Sequence, residues 1–231
     1  MARTVLITGA AGNLGRAVAD SFERAGDSVV LVDRSAEVLE RAFAGSGAER
    51  MLVAVDLLQA DDVEQAVGRV AAQFGRIDVL CNLAGGFAMG TPVHATADAD
   101  WQRMQDLNVR TVLNMARAVV PLMVQRGRGK IVNVGANAAR RGAAHMGAYI
   151  ASKAEVLRLT ETMAAELREQ GINVNCVMPS IIDTPQNRAD MPDADPKRWV
   201  SPEQLAAVIA FLASDAADAV HGACIPVTGL S

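Results

Sequence analysis

Short β-branched or apolar runs alternate with helix-patterned stretches almost from end to end of this 231-residue chain. Strands are expected at Thr4–Thr8, Ser28–Asp33, Met51–Val55, Ile77–Asn82, Lys130–Gly135, Asn173–Met178 and Cys224–Val227. Helices are expected at about 13–25, 36–44, 60–74, 98–126, 148–170 and 202–213. This rhythm means βαβ units, hence a parallel sheet with helices on both faces. It predicts one α/β domain over residues 1–231, a doubly wound Rossmann-type fold with about seven mainly parallel strands. Val156, Leu159, Met163 and Leu167 fall on one face of the fifth helix at helical spacing. Gly26 and Gly171 stand where helices should stop. Ser201-Pro202-Glu203-Gln204 reads as a capped helix start. Residues 179–200, rich in Pro, Asp and Asn, break the rhythm and read as a substrate or lid loop within the domain.

Composition narrows the class. Apolar residues are 51% and charged residues 21%, which excludes a wholly disordered chain. A net charge of −4 offers no broad field for nucleic acid or anionic lipid, so neither partner is expected. Cys81, Cys176 and Cys224 are far apart, and no metal-ligand spacing joins them to His94, His145 or His221. No metal site is expected. No apolar run is long enough for a membrane span, and none near the start has signal-peptide character. A reducing, cytoplasmic setting is the expectation.

Thr8-Gly9-Ala10-Ala11-Gly12-Asn13-Leu14-Gly15 follows the first strand and opens the first helix. Glycines let backbone approach a pyrophosphate, and the helix N-terminus supplies N–H groups and positive dipole. Gly9, Gly12, Asn13, Leu14 and Gly15 are therefore candidate cofactor-binding residues. Asp33, ending the second strand, would accept hydrogen bonds from ribose hydroxyls and repel a 2′-phosphate. NAD(H) is favoured. NADP(H) stays possible because Arg34 could meet a 2′-phosphate. Asp33 has an alternative reading as a turn residue. Asp56 and Leu57, after the third strand, could reach adenine, or Asp56 could cap a helix.

Tyr149-Ile150-Ala151-Ser152-Lys153 places a tyrosine and a lysine one helical turn apart on one face. Tyr149 is the only tyrosine. An ammonium nearby is expected to lower the tyrosine pKa and suit it to acid–base work.

With these residues assembled, the sequence resembles the short-chain dehydrogenase/reductase family over essentially its whole length. Thr8 to Gly15 resemble its cofactor turn. Asn82-Leu83-Ala84-Gly85 is similar to its Asn-Asn-Ala-Gly element, with Leu83 for the second Asn. The resemblance implies that Tyr149 is the acid–base residue and that Lys153 meets the nicotinamide ribose. It also implies that Asn108 holds a proton-relay water, and that Pro179, Ile182 and Thr184 lie beside the carboxamide. Asn82, Ala84 and Gly85 would line the cofactor.

The family's catalytic serine falls on Ala136. That serine donates to the substrate oxygen where charge develops, so its loss should cost a few kcal/mol on a simple ketone unless replaced. Gly135-Ala136-Asn137-Ala138-Ala139, Cys81–Gly90 and the run Asp183–Trp199 are similar to a dihydropteridine-reductase-like branch. This implies NADH preference, a dimer packed through the fourth and fifth helices, and hydride transfer to a conjugated, quinonoid dihydropterin-like acceptor. One alternative is a general carbonyl or 3-oxoacyl reductase, with Asn137 or a backbone N–H replacing the serine. Another is a non-catalytic NAD(H)-binding sensor or interaction protein. A homodimer or homotetramer acting on a small molecule is expected. Phe87, His145, Met146 and Trp199 are candidates to line the substrate pocket beside Ala136. For His145 and Met146 the alternative is an ordinary loop role, and for Phe87 and Trp199 core or lid packing.

Overall fold

The computed structural model describes residues 2–44 and 50–231. Seven strands form one sheet: β1 Thr4–Thr8, β2 Ser28–Asp33, β3 Arg50–Ala54, β4 Val79–Asn82, β5 Gly129–Val134, β6 Ile172–Pro179 and β7 Cys224–Val227. Their order is β3-β2-β1-β4-β5-β6-β7, with every pairing parallel. The helices are α1 Asn13–Arg24, α2 Ala36–Ala42, α3 Ala60–Phe74, α4 Asp98–Gln105, α5 Thr111–Arg126, α6 Gly147–Leu167, α7 Pro185–Asp190 and α8 Pro202–Leu212.

The two-residue period of the strands builds two cores. Val5, Ile7, Val29, Leu31, Val79 and Cys81 face one side, where α1 and α8 cover them with Val18, Phe22, Leu205 and Ile209. Leu6, Val30, Leu80, Ile131 and Val174 face the other, against Val63 and Val67 of α3, Met115 and Val119 of α5, and Ala164 of α6. Strands buried on both faces read as continuous apolar runs, which is why they were legible. The order reverses between β1 and β4, where doubly wound sheets open a crevice at their C-terminal edge.

Several expectations need correction. Strand ends differ by one or two residues at β3 to β6; Ile77, for example, is buried in the turn before β4. The single helix expected over 98–126 is interrupted by a π turn at Asp106–Arg110. The cause is Asn108, whose buried side chain is held by groups outside its own helix, as detailed below. The buried face of α6 runs through Ser152, Lys153, Val156, Leu157, Thr160, Ala164 and Leu167, while Leu159 and Met163 are half-buried. The segment 179–200 contains helix α7, begun by Pro185 and capped by Thr184 Oγ1, which accepts from Asn187 N at 3.1 Å.

Gly171 does stop its helix, with φ +75°. The capping box at Ser201 also forms: Ser201 Oγ accepts from Gln204 N, and Gln204 Oε1 accepts from Ser201 N. It starts the helix that seals the α1 face. Ser201→Ala should lower stability by about 1 kcal/mol in urea unfolding. No change would mean that packing alone fixes the start of α8.

Candidate active site

The crevice is assembled from strand ends. Gly9 has φ +63°, and a side chain there would lie 3.0 Å from the Ala84 backbone. A Cβ on Gly15 would stand 2.3 Å from the Gly9 carbonyl oxygen. Only glycine fits either position. Gly12 caps α1 with no side-chain hydrogen bond, so no acceptor of its own covers the helix N-terminus. Asn13 Oδ1 accepts from Arg16 at 2.8 Å, and Leu14 packs against the α1-side core. Thr8 Oγ1 accepts from Leu83 N and Ala84 N at 3.0 and 3.1 Å, which ties β1 to the loop after β4.

Asp33 is both a turn residue and a wall of the crevice. Its Oδ1 accepts from Arg34 N and its Oδ2 from Ala11 N in the glycine-rich turn, at 2.8 and 3.1 Å. The Arg34 side chain is mostly exposed and only loosely paired with Asp56, at 3.9 Å. Asp56 Oδ1 makes a local turn by accepting from Leu58 N. Leu57 is buried and its carbonyl accepts from Asn114. Asn82 is buried and donates to Asn133 Oδ1, whose own amide donates to Thr160 Oγ1. Asn82 Oδ1 is buried without a partner.

Tyr149 and Lys153 lie on the first turns of α6. Lys153 Nζ donates to the Val134 carbonyl at the end of β5, at 2.8 Å. A Cβ on Gly85 would meet Asn108 Oδ1 at 2.7 Å and Lys153 Nζ at 3.1 Å, so Gly85 is what lets these two groups close in. Asn108 Oδ1 accepts from Gly86 N, and its Nδ2 donates to Gly86 O and to Ser152 Oγ. Ser152 Oγ in turn donates to the Tyr149 carbonyl. Both donor hydrogens of the Asn108 amide are therefore engaged, and only the second lone pair of Oδ1 is left for a water. Ser152 is the residue the sequence reading missed; its place on the Tyr149–Lys153 face was the available signal.

The Phe87 ring stands edge-on to Tyr149, centroids 4.9 Å apart, and is 56% exposed. His145 has φ +63°, the one positive value among described non-glycine residues, and its carbonyl accepts from Gly90 N. Met146 accepts from Ile150 N as α6 begins. Ala136 is buried in a small cluster with Ala139, Leu157, Cys176 and Met178, against which Tyr149 packs. Pro179 ends β6, Ile182 bridges to Val200, and Thr184 caps α7. Trp199 is only 6% exposed, so it offers little ring face for stacking. Among the described residues no group of three His, Cys, Asp or Glu could hold a metal, and no helix is long and apolar enough to cross a membrane.

Residues 3–195 match the protein-family model described as short chain dehydrogenase. The chain belongs to the short-chain dehydrogenase/reductase family. It is 34% identical over 239 residues to D-threitol dehydrogenase of Mycolicibacterium smegmatis, covering 98% of this chain and 92% of that protein. It is 34% identical over 241 residues to a 3-oxoacyl-[acyl-carrier-protein] reductase of Thermotoga maritima, covering 98% and 96%. The crystal structure of an NAD+-bound xylitol dehydrogenase superposes with TM-score 0.91 at 29% identity, covering 98% of each chain. This dehydrogenase/reductase is an NAD(P)-dependent oxidoreductase. The glycines that no Cβ could replace, the uncapped start of α1 and the Asp33 carboxylate beside it fit a dinucleotide.

Its electrostatics correct one expectation. Tyr149 was expected to ionise more easily; burial instead pushes its pKa up to about 12. Burial likewise lowers the pKa of Lys153 to about 8, partly opposed by Cys176, and its Nζ donates to the Val134 carbonyl. Tyr149 is thus a neutral proton donor across the ordinary pH range. The lysine carries a stability consequence. Below about pH 8 Lys153 is charged both folded and unfolded, and its burial costs in full. Between about pH 8 and 10.5 the unfolded chain binds more protons, so stability rises with pH. Relative to Lys153→Met, the natural chain should gain roughly 2 kcal/mol across that interval in urea unfolding. Parallel curves for the two proteins would contradict the buried ammonium.

Proposed function

We propose that this dehydrogenase/reductase interconverts a small ketone and its secondary alcohol, with NAD(H) as the preferred cofactor. The observation that carries the reading is the placement of Tyr149 and Lys153 one turn apart at the start of α6, with Lys153 Nζ held by the Val134 carbonyl at the end of β5, in a fold whose glycine turn is edged by Asp33. A nicotinamide held there would supply the hydride for the carbonyl carbon, or accept one from the alcohol in reverse. Tyr149 Oη donates its proton to the carbonyl oxygen as the alcohol forms. The proton is replaced from solvent, so ketone, reduced cofactor and one proton balance alcohol and oxidised cofactor. Lys153 would hold the nicotinamide ribose. Asn108 and Ser152 fix the start of α6 to the Gly85–Gly86 loop. Phe87, His145 and Met146 form the pocket rim, and residues 179–200 close over the substrate. Pro179, Ile182 and Thr184 would border the nicotinamide, and Gly9, Gly12, Asn13, Leu14, Gly15, Asp33, Asp56, Leu57, Asn82, Ala84 and Gly85 would hold the rest of the dinucleotide. Asp33 disfavours a 2′-phosphate by repulsion. The names of the threitol, xylitol and 3-oxoacyl relatives support an alcohol–ketone pair over other chemistries. An open groove of about 860 Å³, lined in part by Val109, Leu113 and Leu159, supports a homodimer or homotetramer packed through α5 and α6. A cytoplasmic site of action agrees with three free cysteines.

A conjugated dihydropterin acceptor is the second reading, and Ala136 favours it. A ring that spreads developing charge needs no serine-like donor. NADH oxidation with acetoin and with a quinonoid dihydropterin, in the natural chain and in Ala136→Ser, separates the two. On the ketone reading Ala136→Ser raises kcat/KM for acetoin by about tenfold or more. On the pterin reading the natural chain prefers the pterin and Ala136→Ser adds nothing. NADH should exceed NADPH by about tenfold or more in either case. Bound NADH with no turnover of either acceptor would favour the sensor reading instead.

A further inference from the structure

Two of the three cysteines meet. Cys176 of β6 and Cys224 of β7 are register partners across a parallel pairing, and Cys224 packs against the cluster that holds Cys176. Their side chains therefore share one face of the sheet. Neighbouring strands stand about 4.7–4.9 Å apart, and a disulfide joins Cα atoms about 4.4–6.8 Å apart, so the backbone is already within its span. β7 is an edge strand, paired on one side only, and can follow a small movement of the sulfurs. Both thiols are free. Cys81 is the contrast: it lies in the α1-side core, where burial pushes its pKa up to about 12.

The two partners differ in setting. Cys176 is buried, and its Sγ accepts from Gly135 N at 3.2 Å, an N–H it shares with the Val177 carbonyl. Cys224 is half-buried and borders the open groove between α5 and α6. Hydrogen bonding to Cys176 lowers the pKa of Cys224, while hydrogen bonding to Cys224, with burial, raises that of Cys176. The outer sulfur is the better nucleophile and the inner one keeps its proton. A reachable thiolate beside a resolving thiol is the arrangement that oxidants select.

We propose that Cys224 and Cys176 are an oxidisable dithiol, and that hydrogen peroxide closes it to a disulfide that slows turnover. The Cys224 thiolate attacks one peroxide oxygen, the O–O bond breaks, and a sulfenic acid and one water result. The Cys176 sulfur then displaces the hydroxyl from Cys224, and its proton leaves with that hydroxyl as a second water. Two thiols lose two electrons to one peroxide, and one S–S bond forms. An assembly packed through the groove would narrow access to Cys224, which a small oxidant tolerates best. The new bond draws Cys176 Sγ away from Gly135 N. Gly135 stands between Val134, whose carbonyl holds Lys153, and Ala136, whose cluster Tyr149 packs against. A Cβ on Gly135 would lie 3.1 Å from Cys176 Sγ, so sulfur and backbone are closely packed here. Movement of the sulfur thus reaches the supports of both Tyr149 and Lys153.

The test treats the full chain with hydrogen peroxide, blocks the remaining thiols under denaturing conditions and maps linked peptides by mass spectrometry. Turnover is followed with the substrate the natural chain uses best, and amide exchange over residues 135–137 is followed without substrate. Expected are a Cys176–Cys224 link within one chain, Cys81 still a thiol, and faster exchange at 135–137. Turnover should fall by about tenfold or more and return with dithiothreitol, since small misplacements near reacting groups are costly. Cys224→Ser should work as the natural chain does before peroxide and keep its rate after it. No link, a link between two copies, Cys224 overoxidised without Cys176, a link that leaves exchange and turnover unchanged, or an equal loss in Cys224→Ser would overturn the inference. Linkage and exchange need no substrate, so this inference and the ketone–alcohol reading fail separately.

Discussion

The site depends on how β1 and β4 part at the C-terminal edge of the sheet. They are neighbours in the sheet but not in sequence, and their following segments turn to opposite faces. The Thr8 hydroxyl bridges the opening by accepting two backbone N–H groups from the β4 loop. On one side of that bridge the chain makes the glycine turn and starts α1. On the other, Gly85 and Gly86 come within contact of Asn108 and Lys153. A side chain at Gly9 or Gly85 would push these layers apart. The cofactor cradle and the acid–base pair are therefore two consequences of one close approach.

Polar groups are buried along the second layer at a cost. Lys153, Asn108, Ser152, Asn82, Asn133 and Thr160 are all buried. Most are paired, through Val134 O, Gly86, Asn133 Oδ1 and Thr160 Oγ1, and fully connected networks of this kind are rigid. The apolar packing on both faces of the sheet offsets the rest. Pairing is incomplete at Asn82 Oδ1, Asn114 Oδ1 and Asn137 Oδ1 among the described residues.

Much of this was legible in the chain. The strands announced themselves because burial on both faces leaves no polar alternation to confuse. Thr8–Gly15 and Asp33 were legible because close backbone approach admits few residue types. The Tyr149–Lys153 pair was legible because helical spacing alone puts the two on one face. What escaped depends on contacts between distant segments. The π turn exists because Asn108 meets Gly86 and Ser152, which no local pattern encodes. The raised Tyr149 pKa reflects burial, which no local pattern encodes. Helix α7 was missed although Thr184-Pro185 is a sound start, because its six residues are too few to show a period.

The central claim is that Tyr149 carries the proton while the dinucleotide turn binds independently of it. The most direct measurement is Tyr149→Phe, with NADH affinity followed by fluorescence and turnover followed with the substrate the natural chain uses best. The account predicts NADH binding within about twofold and a turnover loss of about 100-fold or more. Unchanged turnover with NADH still bound would contradict it.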